Sequence, residues 1–211
     1  MKMSKSSASV AVIILFHAVG SLGFFIIPFR SMFLRLVPFH LLLMLAVVII
    51  NHENWRDGKF WAFAALISTG GFTAEWIGVH TNIIFGDYDY GQTLGTKVFD
   101  IPLMIGVNWF LLIYATGVIL KHLKIPTVAL RMLIGAIVLV CLDLLIEPVA
   151  IKFDYWSWVD LNPPLKNYLG WFGVSALFLG IFELFKFKHQ NITAPALLVV
   201  QFIFFALLQL A

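Results

Sequence analysis

The chain reads as an all-α, polytopic membrane helix bundle with about seven spanning helices, and three observations carry that reading. Its 211 residues are 61% hydrophobic and only 12% charged, with a mean hydropathy of +0.96. A soluble domain is typically about half apolar and about a quarter charged. The apolar residues fall into runs of about 20, the length a helix needs to cross the hydrocarbon of a bilayer. The polar and turn-forming residues collect between those runs. With no internal repeat, low-complexity stretch or soluble segment, residues 1–211 are expected to form a single integral membrane domain.

Taken in order, the candidate spans are 9–29, 34–51, 60–84, 101–120, 127–148, 167–187 and 193–210. Lys2 and Lys5 precede the first, which resembles a signal peptide at its start. Its apolar run is longer than the usual signal core of about 7–15 residues, so it reads as a span. Pro28 and Arg30 are expected to close it. Asn51–Lys59 is a polar loop, and a second, rich in Gly and Asp, covers 87–97. Lys121–Pro126 separates the fourth span from the fifth. The segment 151–166, with Trp156, Trp158, Asn162, Pro163 and Pro164, reads as an ordered interfacial loop. Lys186–Gln190 precedes the last span.

Loop charge sets the expected orientation. With the N-terminus in the cytoplasm, the inner side carries Lys2, Lys5, Arg56, Lys59, Lys121, Lys124, Arg131, Lys186 and Lys188. The outer side carries Arg30, Arg35, Lys97, Lys152 and Lys166. The bias favours that orientation, and a bacterial or archaeal cytoplasmic membrane is the expected location. The net charge of +3 is small and dispersed, which implies no nucleic-acid partner; the bilayer is the implied one. A lone cysteine, Cys141, excludes an internal disulfide.

The polar residues inside the spans are where chemistry is expected. Glu75 sits within the third apolar run, where an ionisable side chain is a functional-site hypothesis by default. Asp143 and Glu147, four apart, share one helix face, and paired carboxyls can divide acid and base roles. The plain alternative for Glu75 is a structural carboxyl bonded to a neighbouring helix, and for Glu147 a residue in headgroup water. Pro148 follows at once and is expected to end or kink that helix. In the expected topology Glu75, Pro102, Asn108, Trp109, Asp143, Glu147, Asn167, Tyr168 and Trp171 gather in one leaflet beneath the loops 85–100 and 151–166. Trp76, Tyr88, Tyr90, Trp109, Tyr155, Trp156, Trp158, Tyr168 and Trp171 form either a lining that stabilises a developing cation through its ring faces or an ordinary aromatic belt, a reading that is strong for Trp156 and Trp158. His80, one turn beyond Glu75, is more often a structural histidine than a catalyst.

Several classes are disfavoured by what is missing. Six histidines (17, 40, 52, 80, 122 and 189) show no helical pair at metal-site spacing, and His52–Glu53 does not extend into a metalloprotease motif. No phosphate-binding glycine loop, serine elbow or aspartate-rich diphosphate motif occurs. No metal and no cofactor is therefore expected. Buried carboxyls with aromatics suit acid-initiated chemistry on a membrane-dissolved alkene, although a small channel or transporter could also carry such groups.

Two blocks resemble the carotenoid biosynthesis protein family, which includes carotenoid 1,2-hydratases and bisanhydrobacterioruberin hydratase. The first is Glu75, Gly78, Phe85, Gly86, Tyr88, Tyr90, Leu94, Gly95, Pro102 and Trp109; the second is Asp143, Glu147, Pro148, Trp156, Trp158, Pro163, Asn167, Gly170 and Trp171. The likeness covers about residues 60–185. It departs from the family pattern at Asp100, where a glycine is expected, and at Gly106, where a second proline is. The resemblance implies addition of water across the terminal 1,2 double bond of an acyclic carotenoid end such as that of lycopene or γ-carotene. Glu75, Asp143, Glu147 and Asn167 would be catalytic. Trp76, His80, Tyr88, Tyr90, Asn108, Trp109, Trp158 and Trp171 would bind the substrate. Water would be the co-substrate, and other carotenoid biosynthesis enzymes would be partners. The alternatives are a lycopene cyclase that shares the protonation step and a non-catalytic carotenoid-binding or transport protein.

Overall fold

The computed structural model describes residues 4–188 and 190–211. Lys2 and His189, named above among the inner cations and the histidines, lie outside them. Among the described residues seven helices follow the apolar runs: α1 (Lys5–Phe25), α2 (Ile27–Asn51), α3 (Gly58–Thr81), α4 (Leu103–His122), α5 (Val128–Lys152), α6 (Leu165–Phe185) and α7 (Thr193–Leu208). Small polar residues cap several starts. Ser4, Asp57 and Thr127 each accept a hydrogen bond from a backbone N–H in the first turn, of α1, α3 and α5. Among the described residues six helices are long and apolar enough to cross a membrane. At 16 residues α7 is about 24 Å long, short of the roughly 30 Å of hydrocarbon.

Prolines explain where the boundaries differ from expectation. Pro28 opens α2 instead of closing α1, because a proline in a first turn loses no intrahelical hydrogen bond. Pro148 does not end α5, which continues to Lys152 and so keeps Glu147 in its interior. Helix four begins at Leu103 and not at 101, because Ile101 and Pro102 are strand. Four short strands among the described residues join the all-helical plan: β1 (Tyr88–Tyr90), β2 (Lys97–Val98), β3 (Ile101–Pro102) and β4 (Trp156–Trp158). β2 and β3 pair as a hairpin whose turn, Phe99–Asp100, has φ of 50° and 65°. That left-handed turn is the physical reason a glycine suits position 100.

The bundle is built around α4, which packs against α2, α3, α5, α6 and α7 and is buried at every residue from Trp109 to Val118. The other helices bury one side and turn large apolar groups outward, among them Phe39, Leu169 and Leu184 at 66%, 63% and 76% exposure. An apolar surface of that extent belongs in lipid, and the chain is an integral membrane protein. Two contacts set the site. α5 packs along α6, and α3 packs along α4 through Gly71, where a Cβ would lie 2.5 Å from Cβ of Trp109.

The Gly71 contact is testable against a second glycine. Gly71→Ala should destabilise the detergent-solubilised protein by about 1–3 kcal/mol through overpacking. Gly173→Ala, whose Cβ meets nothing within 4 Å, should be neutral or stabilising. Thermal midpoints of the two variants, side by side, check the difference.

Candidate active site

Helix geometry presents the acids first. On α3, Gly71, Glu75 and Gly78 fall on one face, and the two glycines leave room beside the carboxyl. Gly71 admits Trp109 of α4, and Gly78 admits Phe85 and the Tyr88 hydroxyl. On α5, Asp143 and Glu147 fall on one face, opposite Asn167 in the first turn of α6. Glu75, Asp143, Glu147 and Asn167 are all 3% exposed or less.

The loops supply the remaining wall. β1 and β4 pair antiparallel, with Tyr88 opposite Trp158, Asp89 opposite Ser157 and Tyr90 opposite Trp156. Because strand side chains alternate, the two tyrosines and two tryptophans share the buried face while Asp89 and Ser157 face out. The ribbon is fastened beyond its ends by Gly91 N–H to the Tyr155 carbonyl (2.9 Å), Thr93 Oγ1 to the Phe153 carbonyl (2.7 Å) and Val159 N–H to the Asp87 carbonyl (3.2 Å). Lys97 Nζ also donates to the Tyr90 carbonyl.

Each carboxyl then meets a defined set of donors. Tyr88 and Tyr90 hydroxyls donate to Oε2 of Glu75 at 2.5 and 2.7 Å, and the Trp109 indole N–H donates to its Oε1 at 2.8 Å. Trp156 and Trp158 indoles donate to Oε2 of Glu147 at 3.1 and 2.8 Å. The Asn167 amide spans the α5 pair, donating to Oδ2 of Asp143 at 2.8 Å and Oε1 of Glu147 at 3.0 Å. Asp143 Oδ1 is buried with no partner among the described residues. Among the described residues no lysine, arginine or histidine pairs with any of the three; the ion pairs are His80–Asp100 and Arg131–Glu183. Burial, and then the adjacent Glu75 carboxyl, push the Tyr88 and Tyr90 phenols well above their ordinary range, so both remain donors.

Between Glu75 and Glu147 lies a pocket of about 10 Å³, walled by Tyr88, Tyr90, Trp156, Trp158, Asn167 and Trp171 among others. That is about the space one water needs. Trp171 stacks on Trp109 at 4.6 Å between ring centres and closes the α4–α6 side. Ile105 and Trp156 also line a second, apolar cavity of about 550 Å³ between α1, α2, α4 and α7. Phe16, Leu36 and Phe39 line it and are also 44–66% exposed, so it opens toward lipid between α1 and α2.

The structure therefore brings together Glu75, Asp143, Glu147, Asn167, Tyr88, Tyr90, Trp109, Trp158 and Trp171. It does not bring Trp76 or His80 to them. Trp76 is one residue, about 100° of helix, past Glu75 and is 41% exposed, in a surface groove with Phe72, Thr73 and Phe99. His80 turns its Nδ1 to the Trp76 carbonyl and lies 3.9 Å from exposed Asp100. Asn108 lines the larger cavity and not the carboxyl pocket. Trp156, read above as a belt residue, is a carboxyl donor. Its signal was the W-x-W alternation opposite Y-x-Y, whose pairing only the fold reveals. Among the described residues no group of three or more His, Cys, Asp or Glu is placed to hold a metal ion.

The family model of the carotenoid biosynthesis protein matches residues 36–211, which includes every group in this cluster. The chain belongs to the carotenoid biosynthesis protein family. Among curated proteins it is similar to the bisanhydrobacterioruberin hydratase of Haloarcula japonica, with 26% identity over 152 residues. That match covers 69% of this chain and 51% of the relative, so the chain spans about half the length of the curated relative it matches. No solved structure matches.

The Asn167 bridge can be tested without an activity. Asn167→Leu leaves two buried carboxyls without their shared donor, at about 1–3 kcal/mol for each unsatisfied group. Adding Asp143→Leu should recover part of the loss, because replacing both partners by apolar groups costs less than removing one. Thermal midpoints of the single and double variants should therefore rank the double variant above Asn167→Leu.

Proposed function

We propose that the protein is a membrane-embedded carotenoid hydratase, adding water across the terminal 1,2 double bond of an acyclic carotenoid end. The observation that carries this is a water-sized pocket between Glu75 and Glu147 that shares a wall with a long apolar cavity open to lipid. Family membership and the similarity to a bisanhydrobacterioruberin hydratase support a carotenoid-modifying enzyme. The polyene enters from the bilayer between α1 and α2, and its end reaches the carboxyls by displacing the wall formed by Ile105 and Trp156.

The donor sets suggest which carboxyl does what. Glu147 faces only N–H groups, from two indoles and one amide, and none of these can accept a proton. That surrounding suits a carboxylate, and Glu147 is assigned as the base that holds and deprotonates water. Glu75 faces two phenols, whose oxygens accept as well as donate, so it can carry a proton without losing its partners. Glu75 is assigned as the acid. It protonates C2, leaving a tertiary cation at C1 against the faces of Trp156, Trp158 and Trp171. Water held by Glu147 attacks C1 and gives Glu147 its proton, which returns to Glu75 through the shared pocket. The sum is one water added, with no electrons moved. Asp143 does not line the pocket; it positions Asn167, which in turn orients Glu147. With the N-terminus in the cytoplasm, the site lies in the outer leaflet of a cytoplasmic membrane.

Expression in cells that accumulate lycopene or γ-carotene tests the reaction by pigment mass spectrometry. The expected product is heavier by one water and is at least about 100-fold reduced in Glu75→Gln. An isomeric product with a shortened chromophore would instead mean cyclisation, and unchanged pigment with retained binding would mean a carrier. The route is tested by Ile105→Trp. Filling the junction should raise KM for a long polyene by roughly tenfold or more while leaving thermal stability within about 1–3 kcal/mol of the parent.

A further inference from the structure

The larger cavity is apolar over nearly all its wall, yet three polar side chains from three helices meet in it away from the carboxyls: His17 of α1, His40 of α2 and Gln201 of α7. Their placement follows from packing. The ring of Phe204 touches His17 at 5.4 Å, and Gln201 lies one turn before Phe204 on α7. His17 and His40 meet edge to face at 4.5 Å with their Nε2 atoms 3.4 Å apart. Helix α1 sets how far His17 lies from the approach to β4. Phe24 packs at 5.0 Å on Phe153, at the root of β4, and His17 lies seven residues, about 10 Å, farther along the helix.

Hydrogen-bond accounting shows what this cluster lacks. His17 Nδ1 donates to the Ile13 carbonyl at 2.8 Å, so in the neutral ring its Nε2 is a bare acceptor. The facing Nε2 of His40 then carries the hydrogen, which leaves Nδ1 of His40 as an acceptor with no partner among the described residues. Gln201 is 6% exposed and its amide makes no side-chain hydrogen bond among the described residues; its Oε1 is buried without a partner. A plain hydrocarbon in the cavity leaves both residues unsatisfied in a dry setting, which is costly. An alcohol gives each residue one partner, because its O–H donates to His40 Nδ1 and its oxygen accepts from Gln201 Nε2, while Gln201 Oε1 still lacks a donor.

We infer that His40 and Gln201, with His17 fixing the tautomer, form a subsite for a hydroxyl group on an acyclic isoprenoid chain, in the part of the cavity away from the end that reaches the carboxyls. Placing the reactive end at the carboxyls rests on the hydratase reading; the hydroxyl subsite itself does not require turnover. The preferred ligand is then an oxygenated chain over the corresponding hydrocarbon, and helices α1, α2 and α7 set that preference while α3, α5 and α6 hold the acids.

Calorimetric titration of the purified protein in detergent with farnesol and with farnesene tests this. The two probes share the acyclic dimethylallyl end; farnesene is farnesol less one water, so only farnesol carries a hydroxyl. Farnesol should bind about tenfold tighter than farnesene, the worth of two neutral hydrogen bonds. Gln201→Leu and His40→Phe should each bring the ratio close to one while farnesene affinity holds, which also certifies that the variants are folded. A variant that loses farnesene binding is set aside and the other decides. Equal affinities in the parent protein would overturn the subsite, as would a preference that survives both substitutions, or no binding of either probe. A preserved preference with no hydration of any polyene would remove the hydratase reading and leave the subsite standing.

Discussion

Three carboxyl groups buried together in a membrane bundle without a cation are the constraint on which the rest of this structure depends. A bare carboxylate in an apolar medium is costly, and no lysine, arginine or histidine is paired with Glu75, Asp143 or Glu147 among the described residues. The chain meets the demand with neutral donors: two phenols, three indoles and one amide. Tyrosine and tryptophan suit this because each offers one polar tip on a large apolar body. They satisfy the acids without bringing in water or countercharge. An Arg partner would have locked each acid as an anion; phenols and indoles leave proton exchange available.

That demand explains the non-helical parts. Indole and phenol donors have to come down onto the carboxyls from above, so two loops far apart in sequence join as a β ribbon. The pairing of Tyr88–Tyr90 with Trp156–Trp158 turns all four rings the same way. The glycines of α3 serve the same end from the side, since Gly71 lets the Trp109 ring lie against the helix bearing Glu75. Backbone pairing in the ribbon also keeps its own N–H and C=O groups satisfied at the membrane edge.

The two cavities divide the labour the proposed chemistry needs. The small one limits water to about a single molecule beside the acids, and the large one gives a long apolar chain a way in from lipid. In the proposed reaction a developing cation would be surrounded by aromatic faces and met by one positioned nucleophile instead of bulk solvent. The polar trio within the large cavity adds a second point of recognition along the chain, on helices that the acid cluster does not use.

Composition and run length determined the helical membrane architecture, since about 20 apolar residues with few charges have few other stable solutions. The carboxyls were legible for a related reason: an ionisable residue in such a run is costly enough to stand out against its plain structural alternative, and Asp143 and Glu147 four apart declare one face. What the sequence could not place was anything governed by pairing across the fold. Trp156 and Trp158 look like belt residues until β4 meets β1, and Trp76 and His80 look like site residues until the 100° step of α3 carries them outward. His17, His40 and Gln201 are isolated polar residues in three separate helices, and only tertiary packing puts them in one cavity. Local rules fix periodicity within a segment; which faces meet is decided by packing between segments, and the candidate site is made of those meetings.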